Sequence, residues 1–188
     1  MRHLIDVPSP EDAAAIGRMQ LAAWLETYPH PATGIDESWI RTQRGDLVSP
    51  EGVARWREFL VLAAAEPQRA HCRVVRQASG GAIVGVLCGL RERPGSASDQ
   101  QTAADQRVTL GPMYLRTAAQ GLGLGRQLMT GFLAWAQPEP IQLWVAGYNE
   151  QAIRFYRRHG FRLTGERELW RERMPNLRMR RAPGALQD

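Results

Sequence analysis

The chain has 188 residues, 44% of them apolar, and a formal net charge of +5. That length suits one domain with a real core, six tryptophans help to fill it, and no apolar run reaches membrane-spanning length. All 24 basic residues are arginine, and the lack of lysine excludes Schiff-base catalysis and a P-loop of the usual type, whose glycines are followed by lysine.

Other exclusions follow from the same composition. The opening MRHLIDVPSPED turns acidic and proline-bearing at once, unlike a signal peptide, so a cytoplasmic location is the default expectation. Four scattered histidines and no CxxC give no metal-ligand spacing, and no metal is expected. Cys72 and Cys88 lie in apolar strand-like runs and read as buried core thiols, not a disulfide pair. A pI near 10 favours acidic ligands. The basic residues are not interleaved with aromatics as in a nucleic-acid surface, so neither nucleic acid nor membrane is an expected partner.

In chain order, His3 to Val7 is a short strand. Ser9-Pro10-Glu11-Asp12 starts a helix, with a serine cap, proline in the first turn and acids at the positive end. Ile16, Met19 and Ala23 give that helix an apolar stripe, and Tyr28-Pro29 stops it. Pro29 to Gly34 is a loop. Helical patterns follow over Glu37 to Arg44 and Pro50 to Ala65, the second with Trp56, Phe59 and Leu60 on one face. Arg73 to Gln77 and Ile83 to Leu90 are strands joined by the hairpin signal Ser79-Gly80-Gly81. Pro94 to Gln106 is a polar loop.

Val108 to Leu115 is the next strand. Gly111-Pro112 interrupts it, and because proline lacks a ladder donor a bulge or locally unpaired edge is expected there. Gly121 to Ala136 is a helix with Leu124, Leu128, Phe132 and Trp135 at helical spacing. Ile141 to Val145 is a short buried strand. Asn149 to His159 is a helix capped by Asn149 and ended by Gly160. Phe161 to Arg167 and Arg173 to Met179 close the chain as strands. Residues 1–182 form one domain and 183–188 a flexible tail. The order describes an α/β (α+β) chain: a mixed sheet with helices packed on it.

QGLGLGRQLM, Gln120 to Met129, carries the chemistry. A helix start leaves backbone N–H groups unpaired and adds partial positive charge. Gly121, Gly123 and Gly125 let the chain curl so that those groups approach an anion, with Leu122 and Leu124 free to point into the protein. Arg126, just inside the helix, adds charge-assisted bonds. A dinucleotide fingerprint is the rival reading. It uses GxGxxG spacing and an acid on the next strand, whereas the strand here is IQLWV.

At these residues the chain resembles the GNAT superfamily of acetyl-CoA-dependent N-acetyltransferases. Gln120-x-x-Gly123-x-Gly125 is similar to its cofactor motif, LWVAGYNEQAIRFYRRHGF to its second signature, and RERMPNLRMRR to its last strand. The opening helix with Trp24 and Tyr28 resembles the start of many members. The resemblance implies a mostly antiparallel central sheet flanked by helices, with a splayed central strand pair and acetyl-CoA as co-substrate. It implies that Met113, Tyr114 and Leu115 supply a backbone edge to the pantetheine arm. The pyrophosphate would sit on Gly121, Leu122, Gly123, Leu124, Gly125 and Arg126, beside Gln120, with Asn149 near the thioester.

The resemblance also implies direct transfer: a neutral primary amine, of a small molecule or a protein, attacks the thioester, and Tyr156 protonates the leaving sulfur. A homodimer is an assembly that the resemblance allows. One departure stands out. Many members carry a glutamate on the central strand as general base, and Val108 to Leu115 has no carboxylate. Asp105, Glu26, His30, Asp36 and a water chain are the candidates. His159 is explained by its place at a helix C-terminus, and Arg157 and Arg158 point elsewhere around the helix than Tyr156, as solvated charges or, as the alternative, toward the cofactor's 3′-phosphate. The missing carboxylate leaves an alternative, an acetyl-CoA-binding regulatory protein with little or no turnover.

Overall fold

A computed structural model describes residues 2–92 and 107–184. The expected loop from Pro94 to Gln106 and residues 185–188 of the expected tail lie outside them. The elements are β1 (His3–Asp6), α1 (Ala13–Thr27), α2 (Glu37–Arg44), α3 (Pro50–Ala65), β2 (Ala70–Gln77) and β3 (Ile83–Arg91). After them come β4 (Val108–Leu115), α4 (Leu124–Ala136), β5 (Ile141–Ala146), α5 (Glu150–Arg158), β6 (Arg162–Trp170) and β7 (Met174–Arg181).

The strands form one sheet in the order β1-β2-β3-β4-β5-β7-β6. Every neighbouring pair is antiparallel except β4 and β5. Side chains alternate across a strand, and both faces are covered, so the inner strands are apolar on both sides. Cys72, Val74, Val86 and Cys88 face α1 and α3 with Ile16, Met19, Trp56 and Leu60. Val75, Leu87, Leu110 and Leu143 face α4 with Leu128, Phe132 and Leu133. Cys72 and Cys88 are directly opposite, buried and free, with Sγ atoms 3.2 Å apart.

Local signals act where the residues stand, with shifted boundaries. Ser9 donates its N–H to Asp12 Oδ2 at 2.8 Å, and Pro10–Asp12 form a 3₁₀ turn, so α1 begins at Ala13 rather than in the Ser9-Pro10 segment. Ser49 caps α3 by accepting the Gly52 N–H at 3.2 Å, with Pro50 opening the helix. Gly17 and Gly52 let the turn Gly45–Val48 lie directly across α1 and α3: a Cβ would stand 2.2 Å from the Leu47 carbonyl oxygen and 1.8 Å from that of Asp46. β2 starts at Ala70 rather than Arg73 because His71 and Cys72 also pair with β3. β6 runs on to Trp170, exposed along nearly its whole length at the sheet edge. Among the described residues no helix is long and apolar enough to cross a membrane, and no three His, Cys, Asp or Glu side chains gather as a metal site requires.

Candidate active site

The site begins where two strands part. β4 and β5 pair only at Val108–Ile141 and Thr109–Gln142, and beyond that β5 pairs with β7 alone. A polar cluster holds the closed end. Glu92 accepts from Thr109 Oγ1 at 2.5 Å, Gln142 Nε2 at 2.9 Å and Arg107 Nε at 2.9 Å. The open end is a gap between β4 and β5.

The bulge decides what β4 shows to that gap. Leu87 pairs with Met113 and Gly89 with Leu110, so Cys88 alone faces Gly111 and Pro112. Val108 turns its N–H toward the β5 side, donating to Pro140 O at 2.9 Å. Backbone polar groups alternate sides along a strand, and without the extra residue Met113 would face β3. With it, Arg116 donates to Val84 O in β3 at 2.9 Å, while Leu115 offers its carbonyl on the gap side to Gln120 Nε2 at 3.0 Å. Met113 and Leu115 therefore turn their backbone toward the gap. Tyr114 turns its backbone toward β3, which corrects the expectation that all three supply the edge. Its ring crosses to the α1 side, among Tyr28, Trp39 and Trp170.

The glycine turn closes one end of the gap. Gly121 and Gly123 hold φ of 75° and 78°, a region that other residues enter at a cost. No described residue lies within 4 Å of a Cβ built at either, so the requirement is conformational. The first helical bond runs from the Gln127 N–H to Gly123 O at 3.1 Å, and the amides of residues 121–126 bond to none of the described residues. Leu124 is buried, but Leu122, between two left-handed glycines, swings out to 54% exposure; the expectation that both point inward holds for one. Gln120 and Arg126 line the cleft. Gln120 is itself held, taking the Gln151 amide on Oε1 at 3.4 Å.

α5 supplies the opposite wall. Asn149 spends its Oδ1 on the Ala152 N–H at 3.0 Å, which caps the helix, and still lines the cleft. Tyr156 packs edge-on against Phe155 and Phe161, with ring centroids 5.5 and 5.7 Å away. Burial raises its phenol above the usual value, and Tyr114 adds to this. Tyr28 and Tyr114 are also raised by burial, and Tyr148, which donates to Tyr28 O at 3.2 Å, is pushed up to about 12. The cleft thus presents phenols that keep their protons at neutral pH. It encloses about 510 Å³ and runs from the glycine turn to Tyr28 and Tyr114.

The candidate bases fare differently. Glu26 accepts from Arg116 Nε at 2.7 Å and the Thr117 N–H at 2.8 Å, and the arginine bond leads in holding its carboxyl below the usual range. It clamps α1 to the end of β4 and is a poor proton acceptor. Asp36 caps α2 through the Trp39 N–H at 2.7 Å. His30 stacks on Tyr148 at 4.3 Å, outside the cleft lining. Asp105 lies outside the described residues. His159 stands at the helix end as expected: its ring nitrogen Nδ1 sits 2.9 Å from Phe155 O, and burial leads in lowering its pKa. Arg158, exposed as expected, also lines the cleft together with Arg126. Trp144 from β5 and Phe155 from α5 also line it; neither stood out in the sequence, because the packing of separate elements brings them to the gap.

Comparison with known proteins fits this geometry. The family described as Acetyltransferase (GNAT) matches residues 22–161. PaiA N-acetyltransferase from Thermoplasma acidophilum, solved in complex with coenzyme A, superposes with a TM-score of 0.71 at 16% identity, covering 97% of this chain and 99% of that one. A GNAT-family acetyltransferase from Streptococcus pneumoniae gives 0.70 at 20% identity, covering 97% and 100%. Naa20 from Chaetomium thermophilum, in complex with a bisubstrate analogue, gives 0.66 at 17% identity, covering 96% and 86%. At these identities the likeness is one of fold. Comparison with curated proteins gives no match.

Proposed function

The chain belongs to the GNAT acetyltransferase family, and from that premise we propose that it acetylates a primary amine, with acetyl-CoA as donor. Acetyl-CoA supplies the activated acetyl thioester. The observation that carries the reading is the row of open amides at residues 121–126, set at one end of a cleft that leads between splayed strands to Tyr156. Unpaired amides at a helix start suit a pyrophosphate, and Arg126 and Arg158 add positive charge at the same cleft.

The chain's own groups then have distinct tasks. The backbone of Met113 and Leu115 offers donors and acceptors along the gap, where an extended amide-bearing arm can pair as an added strand. Gln120 holds the end of β4 against the glycine turn through Leu115 O. Tyr156 keeps its proton until a basic leaving sulfur develops and then donates it. With Glu26 and Asp36 engaged elsewhere, the amine proton leaves through water at the open side of the cleft.

Isothermal titration with coenzyme A tests the reading. Binding at micromolar or tighter affinity, abolished by Gly121→Val, is the expected result. Folded protein that gives no heat with coenzyme A sinks it.

A further inference from the structure

Beside the Tyr28 and Tyr114 end of the cleft lies a cluster that the transfer chemistry leaves unused. Trp24, Trp39 and Trp170 meet there, with ring centroids 5.4 Å apart for Trp24–Trp170 and 5.8 Å for Trp39–Trp170. Three arginines lie over these rings. Arg44 is 4.8 Å from Trp24 and 5.9 Å from Trp170, Arg171 is 5.6 Å from Trp170, and Arg173 is 5.9 Å from Trp39.

None of the three has a carboxylate partner among the described residues. The nearby acids are spent on other groups: Glu37 on Arg41, Asp46 on Arg55 and Asp36 on the Trp39 N–H. Glu172 sits between Arg171 and Arg173 at the β6–β7 turn and pairs with neither. Arg44 Nε is buried without a partner among the described residues, while the indole of Trp24, only 6% exposed, faces the Tyr114 hydroxyl. A buried guanidinium donor left unpaired is costly, and a carboxylate is the group that satisfies it.

The cluster is also held in place and joined to the cleft. Arg171 and Glu172 have φ of 51° and 61°, where asparagine or glycine is the ordinary choice. Arg173 Nη1 ties that turn to Gly34 O at 2.7 Å. Trp24 stacks 4.4 Å from Tyr28 and 6.3 Å from Tyr114, both of which line the cleft. A group held at Arg44 therefore stands one aromatic ring from the reaction cleft.

We propose that Arg44, backed by Trp24 and Trp170, is a carboxylate-recognition subsite, and that the acceptor is an amine bearing a carboxylate. This deepens the acetyltransferase reading and rests on it. Three guanidiniums with no carboxylate partner among the described residues attract such an acceptor and repel a polyamine. The same chemistry is offered by a free amino acid and by an acidic peptide N-terminus.

The test titrates the coenzyme A-loaded protein by tryptophan fluorescence, so it needs no turnover. The probes are glutamate against its diamide, Glu-Gly amide against Gln-Gly amide, and spermidine. In at least one pair the acid should bind about 10- to 100-fold tighter than its amide, with spermidine weakest; the pair that discriminates identifies a free amino acid or a peptide as the source. Arg44→Met should bring the ratio close to one, and Arg44→Lys should keep part of it. Should Arg44→Met not fold, Arg171→Gln at the exposed turn should still lower the ratio several-fold. Equal binding of acid and amide in both pairs, or a ratio indifferent to these substitutions, overturns the proposal while leaving coenzyme A binding intact. Loss of coenzyme A binding itself is read separately, by the titration above.

Discussion

The two ends of the cleft are built from different material. The glycine-turn end is backbone: open amides over a short contiguous stretch, two left-handed glycines, and strand edges at Met113 and Leu115. The Tyr28 end is side chain: Tyr28 just after α1, Tyr114 from β4, Tyr148 from the β5–α5 connection and Trp170 from β6, with Arg44 from α2 beside them. A backbone site depends on local conformation, which a few residues determine. A side-chain site depends on how distant elements pack. The first suits a ligand part common to many reactions, and the second suits the part that differs from one acceptor to another.

That contrast can be broken by substitution. The largest effect is expected at the junction of the two ends. Tyr156→Phe should lower kcat by about 10²–10⁴-fold while coenzyme A affinity stays the same, because only the transferable proton is removed. Equal losses in kcat and coenzyme A affinity, from steady-state kinetics and calorimetry, would mean that the phenol packs and does not react.

Next comes the backbone end. Gly123→Val forces a β-branched residue into the left-handed region and should weaken coenzyme A binding by about 100-fold or more, with the circular dichroism spectrum retained. Leu122→Ala, one residue away and exposed, should change affinity by less than about twofold, within the range of surface substitutions. A larger loss from Leu122→Ala than from Gly123→Val would show that side chains, not amides, make this end.

The smallest effect concerns what lies beneath the backbone end. His71 is buried against Phe132 and Trp135, at 6.0 and 5.2 Å, and burial lowers its pKa from 6.5 to about 4. The folded state holds it neutral, while the unfolded chain takes up a proton below about 6.5. Its contribution is therefore fully present above that pH and is lost as pH falls toward about 4. His71→Leu should flatten the fall in Tm between pH 7 and 5. A variant whose Tm drops over that interval as steeply as the parent's would show that the imidazole is not the titrating group.

Legibility follows the same division. Helix starts at Ser49-Pro50 and Asn149, the helix end at Gly160 and the bulge at Gly111-Pro112 were readable, because each rests on steric or hydrogen-bonding rules of one or two residues. The hairpin turn between β2 and β3 and the glycine turn were readable for the same reason. The sense of the backbone at Tyr114 was not: it depends on how the bulge counts against β3. Neither was the role of Glu26, which is settled by Arg116 ninety positions along the chain. Nor was the lowering of the His159 pKa, which comes from burial that no sequence window contains.

By itself, then, the sequence determined which segments are helix or strand, and where a chain of L-residues needs glycine to offer its amides to an anion. These outcomes follow from local sterics and from backbone groups that must be paired or left open. Tertiary structure alone decided where β4 and β5 part, which phenols meet in the gap, and that three arginines gather on tryptophans without a counter-charge among the described residues. Those outcomes depend on packing between elements far apart in the chain, where burial and distance set both pKa and partner.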